Sequence, residues 1–329
     1  MMAFRAQKAT TSETVPDSDA AKARKSGKAA KRAARNAIMA RICIFLAVVI
    51  VAIPFILRAQ ASYEEHAAVT ASRNTVASWP DKTTKRELDA ARQYNERLYA
   101  SGQHTLGEAN DPFQKTVSDG SAATDGSAAT GSKADGEYQS LLDTGSGMMG
   151  SIDIPKISVN IPIYHGTDAD TLERGAGHLY GTSLPVGGKN THAVITGHRG
   201  LVGATLFTRL DELTTGDTFT IETLGRTLAY KVDGIVTILP TEGERYLRIR
   251  PGEDRVTLMT CTPYGVNTHR LLVSAHRIPL SELGQQQDPA VYVDMAIFAI
   301  LAVMVVLTMK LTRRKRWMRI QHATDRKGL

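Results

Sequence analysis

Two long apolar runs, one near each end, constrain the fold of this chain more than any other feature. The first is ICIFLAVVIVAIPFIL, residues 42–57, and the second is AVYVDMAIFAILAVMVVLTM, residues 290–309. As helices they span roughly 24 Å and roughly 30 Å, which approaches or matches the thickness of a bilayer core. Neither run has a polar face, which argues against two buried core helices. The pattern therefore predicts two membrane-spanning segments with most of the chain between them.

Basic residues crowd one side of each run, at Arg32, Arg35 and Arg41 in front and at Lys310–Arg319 behind. The positive-inside rule then predicts that both termini are cytoplasmic and that residues 58–289 lie outside the cell. The net charge of +7 is concentrated at these ends, so it indicates contact with a lipid bilayer and no nucleic-acid partner. AQA at 59–61 resembles a signal-peptidase site, so removal of the first segment stays an alternative to a permanent anchor.

The chain has two cysteines, Cys43 inside the first apolar run and Cys261 in the external part. An external domain with one cysteine has no internal disulfide, although external proteins that use cysteine structurally tend to use it in pairs. The lone thiol of Cys261 is therefore a candidate nucleophile. A buried, inert cysteine is the alternative.

The external part changes character near residue 150. Before it, the helical spacing of Leu88, Ala91, Tyr94 and Leu98 predicts a packing helix or stalk, and the tandem repeat of DGSAAT predicts a flexible insert. After it, short β-rich pieces alternate with Gly, Pro, Asn or Asp and little helix, which predicts an all-β barrel or sandwich. No CxxC, HExxH, Asp-rich calcium loop or phosphate-binding loop occurs, so the sequence predicts neither a metal nor a cofactor.

Three residues combine into a possible catalytic site. Cys261 ends the predicted strand VTLMTC, and Arg270 begins the next strand after an eight-residue connection, so pairing of the two strands would bring them together. His198 ends the strand AVITGHRG between two glycines that leave space beside its ring. A thiolate, an imidazole and a guanidinium are the groups needed to attack a peptide carbonyl, protonate the leaving amine and stabilise an oxyanion. Each residue alone is as well explained by structure, and the combination carries the prediction.

These residues lie in a stretch, TLMTCTPYGVNTHRLLVSAHR, that closely resembles the TLxTC…R motif of sortases, the cysteine transpeptidases of Gram-positive cell surfaces. The segments TPYGVNTHRLLV and GHLYGTSLPVGGKNTHAVITGHRG resemble class C, the pilin-polymerising sortases, and IDIPKISVNIPIYHG resembles the opening strands of the sortase β-barrel. NDPFQ at 110–114 is similar to the Asp-Pro-aromatic lid of class C. The resemblance implies a mostly β, closed sortase-type barrel with short helices, and it extends over roughly residues 85–310.

The resemblance also implies roles for individual residues. Cys261 would be the nucleophile that carries the acyl thioester, His198 the general acid and base, and Arg270 the stabiliser of the oxyanion or substrate. Asp111, Pro112 and Phe113 would form the lid, with Asp111 over the arginine and Phe113 over the cysteine. The repeat insert directly after the lid departs from the family pattern.

The implied reaction is cleavage of an LPxTG-like sorting signal between Thr and Gly, followed by transfer of the acyl group to a lysine amine of another pilin subunit. The implied partners are pilin subunits and other surface proteins that bear this signal, and no cofactor is needed. Two alternatives stay open: a housekeeping sortase that anchors surface proteins to a cell-wall precursor, and a membrane-tethered surface scaffold with an inert cysteine.

The predicted order of segments is a basic cytoplasmic tail (1–37), a transmembrane or signal-anchor segment (38–58), a helical stalk (59–108), the lid (109–117), a flexible low-complexity insert (118–136), the catalytic β-barrel (137–284), a transmembrane helix (289–310) and a second basic cytoplasmic tail (311–329).

Overall fold

The computed structural model describes residues 18–103, 127–200 and 206–284, together with residue 288 and scattered positions between 296 and 310. The chain divides into two units, Met1–Leu57 and Arg58–Leu329. Within the described residues, one helical stretch, Lys31–Ile53, is long and apolar enough to cross a membrane. It overlaps the first predicted membrane segment, whereas the second predicted segment, 289–310, lies almost wholly outside the described residues.

Eight strands form a closed barrel in the second unit, in the order β1-β2-β3-β4-β7-β8-β6-β5. The strands are β1 (Met148–Ile154), β2 (Val159–His165), β3 (Ala176–His178), β4 (Thr191–Thr196), β5 (Thr218–Thr223), β6 (Arg226–Ile238), β7 (Asp254–Thr262) and β8 (His269–Ile278). The helices are α1 (Ser18–Ala77), α2 (Asp81–Ala100), α3 (Ser127–Ala134), α4 (Gly136–Ser140), α5 (Ala169–Arg174) and α6 (Gly243–Leu247). The prediction of a mostly β, closed barrel with short helices is confirmed.

Local sequence explains the tight connection between β5 and β6. Thr223 pairs with Arg226, which leaves Leu224 and Gly225 as a two-residue turn, and both have positive φ, 48° and 73°. A turn with positive φ at both central residues matches the right-handed twist of the strands that it joins. The turn therefore lets β5 and β6 pair as a tight hairpin.

The barrel interior is filled by a large apolar cluster to which alternate residues of the strands contribute, among them Ile152, Ile161, Leu258 and Val273. A second, smaller cluster lies on the other face of β4, β7 and β8, and its members are Leu179, Val194, Ile238, Leu247, Met259 and Leu272. Because side chains alternate between faces along a strand, neighbouring residues of these three strands belong to different clusters. The second cluster defines the outer face on which the candidate site lies.

The described part of the region predicted as a stalk, residues 59–103, packs against the barrel in the structure. Leu88 and Ala91 of α2 are buried in the main core, and the buried side chain of Asn95 exchanges two hydrogen bonds with the backbone of Leu184. The last turns of α1 also contact the barrel, where Arg73 pairs with Glu222. The helical spacing identified the apolar face correctly, and that face is covered by the barrel.

The predicted flexible insert, 118–136, differs from the structure at its end. Residues Ser127–Ala134 form α3, and Ser132 is buried and accepts a hydrogen bond from Gln139 through its carbonyl. The Ala and Ser residues of the repeat tolerate a helix, and the contact with α4 favours it. The described part of the predicted insert is thus helical, and residues 118–126 lie outside the described residues.

Candidate active site

Cys261 and Arg270 lie opposite each other on neighbouring strands, and His198 follows the strand that pairs with the other edge of β7. Cys261 of β7 is the direct cross-strand partner of Arg270 in β8. On its other side, β7 pairs in parallel with β4, with Thr196 beside Met259, and the backbone N–H of Gly197 continues this ladder to the carbonyl of Met259 at 3.1 Å. β4 ends at Thr196, and His198 follows it by two residues, just as Cys261 follows Met259 by two residues in β7. The predicted pairing of the strands that carry Cys261 and Arg270 is therefore confirmed.

Cys261 and Arg270 also share one face of the sheet. Cys261 lies two residues from Met259 and Arg270 two residues from Leu272, and both apolar residues belong to the outer cluster. Residues opposite each other in an antiparallel pair project to the same face. The site is thus built on the outer surface of the barrel, above an apolar base that holds the strands in place.

Burial dominates the electrostatics of the cysteine and the arginine. Cys261 is 3% exposed and Arg270 is 4% exposed. Burial raises the pKa of the Cys261 thiol to about 12, and the charge of Arg199 opposes that shift. Burial lowers the pKa of Arg270 to about 10, so the guanidinium is still a cation at neutral pH. In this structure the nucleophile candidate is a protonated thiol beside a cation.

Two backbone carbonyls fix the position of Arg270. Its Nη1 donates hydrogen bonds to the carbonyls of Asn267 and His269, at 2.9 and 2.7 Å. The Asn267 carbonyl belongs to the connection between β7 and β8, and the His269 carbonyl belongs to the first residue of β8. The connection that brings Arg270 back to Cys261 is therefore also what orients its guanidinium.

The loop after β4 that carries His198 is held from two sides. The Thr260 hydroxyl donates to the carbonyl of Gly197 at 2.7 Å, and the N–H of Phe207 donates to the carbonyl of His198 at 3.1 Å. A Cβ on Gly197 would lie 2.7 Å from the ring of Phe207, so this position requires glycine. The glycine that the sequence suggested as space beside the imidazole is needed for packing of the Phe207 ring.

Arg199, Thr262 and Asp211 belong to the same site and were not predicted. Nη1 of Arg199 donates to the hydroxyl of Thr262 at 3.0 Å, and Nη2 pairs with the Asp211 carboxylate at 2.5 Å. The available signal was the position of Arg199, directly after His198 in TGHRG. Its partners are 12 and 63 residues away and carry no local pattern.

The other histidines of the barrel have structural or surface positions. His178 and His192 are buried, and burial lowers the pKa of each to about 4. His165 lies between the backbone carbonyls of Gly147 and Leu141, and His276 contacts the Asp233 carboxylate at the surface. Within the described residues, no group of three or more His, Cys, Asp or Glu side chains could hold a metal ion. The predicted lid, Asp111, Pro112 and Phe113, lies outside the described residues.

Comparison with known proteins agrees with this geometry. The chain is similar to the solved structure of sortase C1 of the group B Streptococcus pilus island 1, with 41% identity, coverage of 69% of this chain and 98% of that one, and a TM-score of 0.56. The chain belongs to the sortase family. The family model for the sortase domain matches residues 152–278, a range that includes His198, Cys261 and Arg270.

Other sortases show the same relationship. The structure of Streptococcus pneumoniae sortase C is 39% identical, with coverage of 65% of this chain and 97% of that one and a TM-score of 0.54. Sortase D of Bacillus subtilis is 31% identical over 115 residues, 35% of this chain and 54% of the relative. This sortase spans about half the length of the curated relatives that it matches. The predicted resemblance to sortases, with sortases C among the similar structures, is confirmed.

Proposed function

We propose that this sortase is a class C enzyme, a membrane-anchored cysteine transpeptidase that joins pilin subunits through an LPxTG-like sorting signal. The observation that carries the proposal is the pairing of β7 with β8 and with β4, which sets Cys261 opposite Arg270 and beside the strand that His198 follows. Similarity to sortases C supports the class, and the structure from S. pneumoniae was described in terms of pilin substrate specificity.

In the first half-reaction, Cys261 Sγ attacks the carbonyl carbon of the Thr residue in the sorting signal. The thiol proton passes to the His198 imidazole, a C–S bond forms, and the carbonyl oxygen becomes an oxyanion next to the Arg270 cation. The C–N bond to Gly then breaks, and the His198 imidazolium gives its proton to the leaving amine. The products are an acyl thioester on Cys261 and a free C-terminal fragment.

In the second half-reaction, a lysine amine of another pilin subunit attacks the thioester carbonyl. His198, now neutral, accepts a proton from the attacking nitrogen, the C–S bond breaks, and the imidazolium returns that proton to the departing sulfur, so that Cys261 is again a thiol. An amide between two subunits forms, and one peptide bond is exchanged for another. The enzyme regains its starting protonation state without a cofactor.

The scheme needs His198 as a base because Cys261 is buried and keeps its proton. Because burial raises the pKa of Cys261 to about 12, the resting nucleophile carries its proton at neutral pH, and proton removal must accompany attack. An imidazole can both accept and return that proton. His198 follows β4, the strand that pairs in parallel with the strand of Cys261.

The remaining parts of the proposal concern topology and the lid. The apolar helix Lys31–Ile53 would anchor the chain in the membrane, with the barrel on the extracellular side and both termini in the cytoplasm. The segment 109–117 would act as the lid, with Asp111 and Phe113 over Arg270 and Cys261. The barrel segment 137–284 would contain all catalytic groups.

Mass spectrometry of the purified chain after incubation with an LPxTG peptide tests the proposal. The expected product is a thioester adduct on Cys261 that is absent in Cys261→Ala. Addition of pilin subunits should then produce ladders of covalent polymer. If Phe113 covers the thiol, Phe113→Ala should form the adduct faster than the wild type.

Each other result contradicts a defined part of the proposal. An unmodified Cys261 would mean a surface scaffold with an inert cysteine. Single products joined to peptidoglycan fragments, with no ladder, would mean an anchoring sortase. Equal rates for Phe113→Ala and the wild type would rule out the lid.

A further inference from the structure

A second arginine, Arg199, links the loop of His198 to the strand of Cys261. Its side chain is 9% exposed, and it contacts two partners from different parts of the chain. Nη1 donates to the hydroxyl of Thr262, the residue directly after Cys261, and Nη2 pairs with Asp211 in the short helical turn Leu210–Glu212. The residue next to the proposed acid-base group is thus bonded to the residue next to the proposed nucleophile.

Backbone contacts show that the turn around residues 206–212 supports the same loop. The N–H of Phe207 donates to the carbonyl of His198, and the N–H of Gly200 donates to the hydroxyl of Thr208 at 3.2 Å. Asp211 extends this support to the side chain of Arg199. The turn therefore contacts the three consecutive residues His198, Arg199 and Gly200.

An ordinary surface ion pair does not explain this arrangement. The Asp211 side chain is 48% exposed, and an ion pair with a partner so exposed contributes little to stability. Arg199 itself is largely buried, which costs desolvation of a guanidinium. The ion pair with Asp211 does not offset the cost of burying the Arg199 guanidinium. Stabilisation of negative charge on the Cys261 sulfur would explain why a cation is buried here.

The electrostatic environment of Cys261 also supports a role of Arg199 in the chemistry of the thiol. Burial raises the pKa of the thiol, and Arg199 is the charged group that opposes the shift. Arg270, although it is the cross-strand partner, donates from Nη1 to two backbone carbonyls. The two arginines therefore have different surroundings: backbone carbonyls hold Nη1 of Arg270, whereas Arg199 acts on the charge of the nucleophile.

We propose that Arg199 is a positioning residue that holds the His198 loop against the end of β7 and favours the thiolate form of Cys261, with Asp211 orienting its guanidinium. This inference rests on the proposed function of Cys261 as the nucleophile. Arg199 remains a cation throughout, because the proton that leaves Sγ goes to the His198 imidazole. An ordered guanidinium stabilises the negative sulfur without exchanging a proton.

The test measures the rate of alkylation of Cys261 by iodoacetamide as a function of pH. The full chain is used in detergent with Cys43→Ala, so that Cys261 is its one thiol. In Arg199→Gln the apparent pKa of the thiol should rise by about one unit, with alkylation about tenfold slower at neutral pH. Arg250→Gln, a change of an exposed arginine, is the matched control and should leave the profile unchanged.

Two further variants separate the charge from the positioning. Arg199→Lys keeps the charge and should keep the apparent thiol pKa, but kcat for thioester formation should fall about tenfold at unchanged KM, because one ammonium cannot bridge Thr262 and Asp211. Asp211→Asn removes a negative charge at a half-exposed position. By charge alone this change would lower the thiol pKa, whereas loss of the orienting partner should raise it.

The outcomes distinguish this inference from the proposed function. An unchanged alkylation profile in Arg199→Gln, or a lower thiol pKa in Asp211→Asn, would overturn the inference even if the wild type forms the thioester. If Arg199→Gln does not fold, the Lys and Asp211→Asn variants decide. A wild type that alkylates as expected but never forms a thioester with sorting-signal peptide would instead overturn the proposed function.

Discussion

At the residue scale, the position of one guanidinium determines how Arg270 can act. Nη1 of Arg270 is fixed by the carbonyls of Asn267 and His269, which leaves the planar fork in a defined orientation beside Cys261. A lysine in this position would place all three donors on one nitrogen, so it could not keep both carbonyl contacts and stabilise an oxyanion in the same geometry.

Arg270→Lys should therefore lower kcat for thioester formation by about 100-fold, the loss typical of removing an oxyanion donor. The measurement is single-turnover acylation of Cys261 by an LPxTG peptide, with the exposed Arg226→Lys as control. Activity of Arg270→Lys equal to that of the control would contradict the assigned role of Arg270.

Local sequence context was enough to select three candidate residues. Cys261 was the unpaired external cysteine, Arg270 followed it by one loop, and His198 stood between glycines. Arg199 and Asp211 were missed, because their importance comes from a contact between a loop and a turn that follow different elements. Residue type alone does not distinguish a buried guanidinium from a solvated one.

At the scale of elements, the apolar spacing of α2 was enough to predict which face is buried. It did not predict Asn95, a polar residue on the same face whose amide satisfies both backbone groups of Leu184. In the sequence, a polar side chain at a core position interrupts the apolar pattern, because its hydrogen-bond partner is not visible there. This contact docks α2 on the segment between β3 and β4.

Asn95→Ala should destabilise the protein by about 2–3 kcal/mol, because it leaves two buried backbone groups of Leu184 without their partner. Chemical denaturation of the purified chain measures the change, and Gln93→Ala, an exposed position of α2, is the matched control. A loss no larger than that of the control would mean that α2 is held by its apolar contacts alone.

At the scale of the whole molecule, the alternation of short β-rich pieces predicted a barrel or sandwich but not the strand order. The parallel pairs β2–β3 and β4–β7 join strands that are separated by other elements, and no local pattern reports such pairing. That order also sets β4, which His198 follows, beside β7, which carries Cys261. The candidate residues could thus be named from the sequence, whereas the arrangement of the strands that carry them depends on the closed barrel.

The closed barrel also buries two neutral histidines, and this makes its stability dependent on pH. Nε2 of His178 donates to the carbonyl of Ser183, and Nδ1 of His192 donates to that of Arg248 while its Nε2 accepts from the Thr257 hydroxyl. Burial lowers the pKa of each from 6.5 to about 4. Between these values the unfolded chain binds more protons than the folded one, so acidification favours unfolding.

The free energy of unfolding should therefore be highest above pH 6.5 and fall as the pH approaches 4, with a loss of about 3 kcal/mol for each histidine. Urea denaturation at a series of pH values measures this slope. His192→Gln can keep a donor toward Arg248 but does not titrate, so its slope should be smaller than that of the wild type. His66→Gln, a change at an exposed position of α1, should retain the full slope. Identical slopes in all three proteins would show that the buried histidines do not set the acid sensitivity, and that carboxylates held by ion pairs, such as Asp217 with Lys156, set it instead.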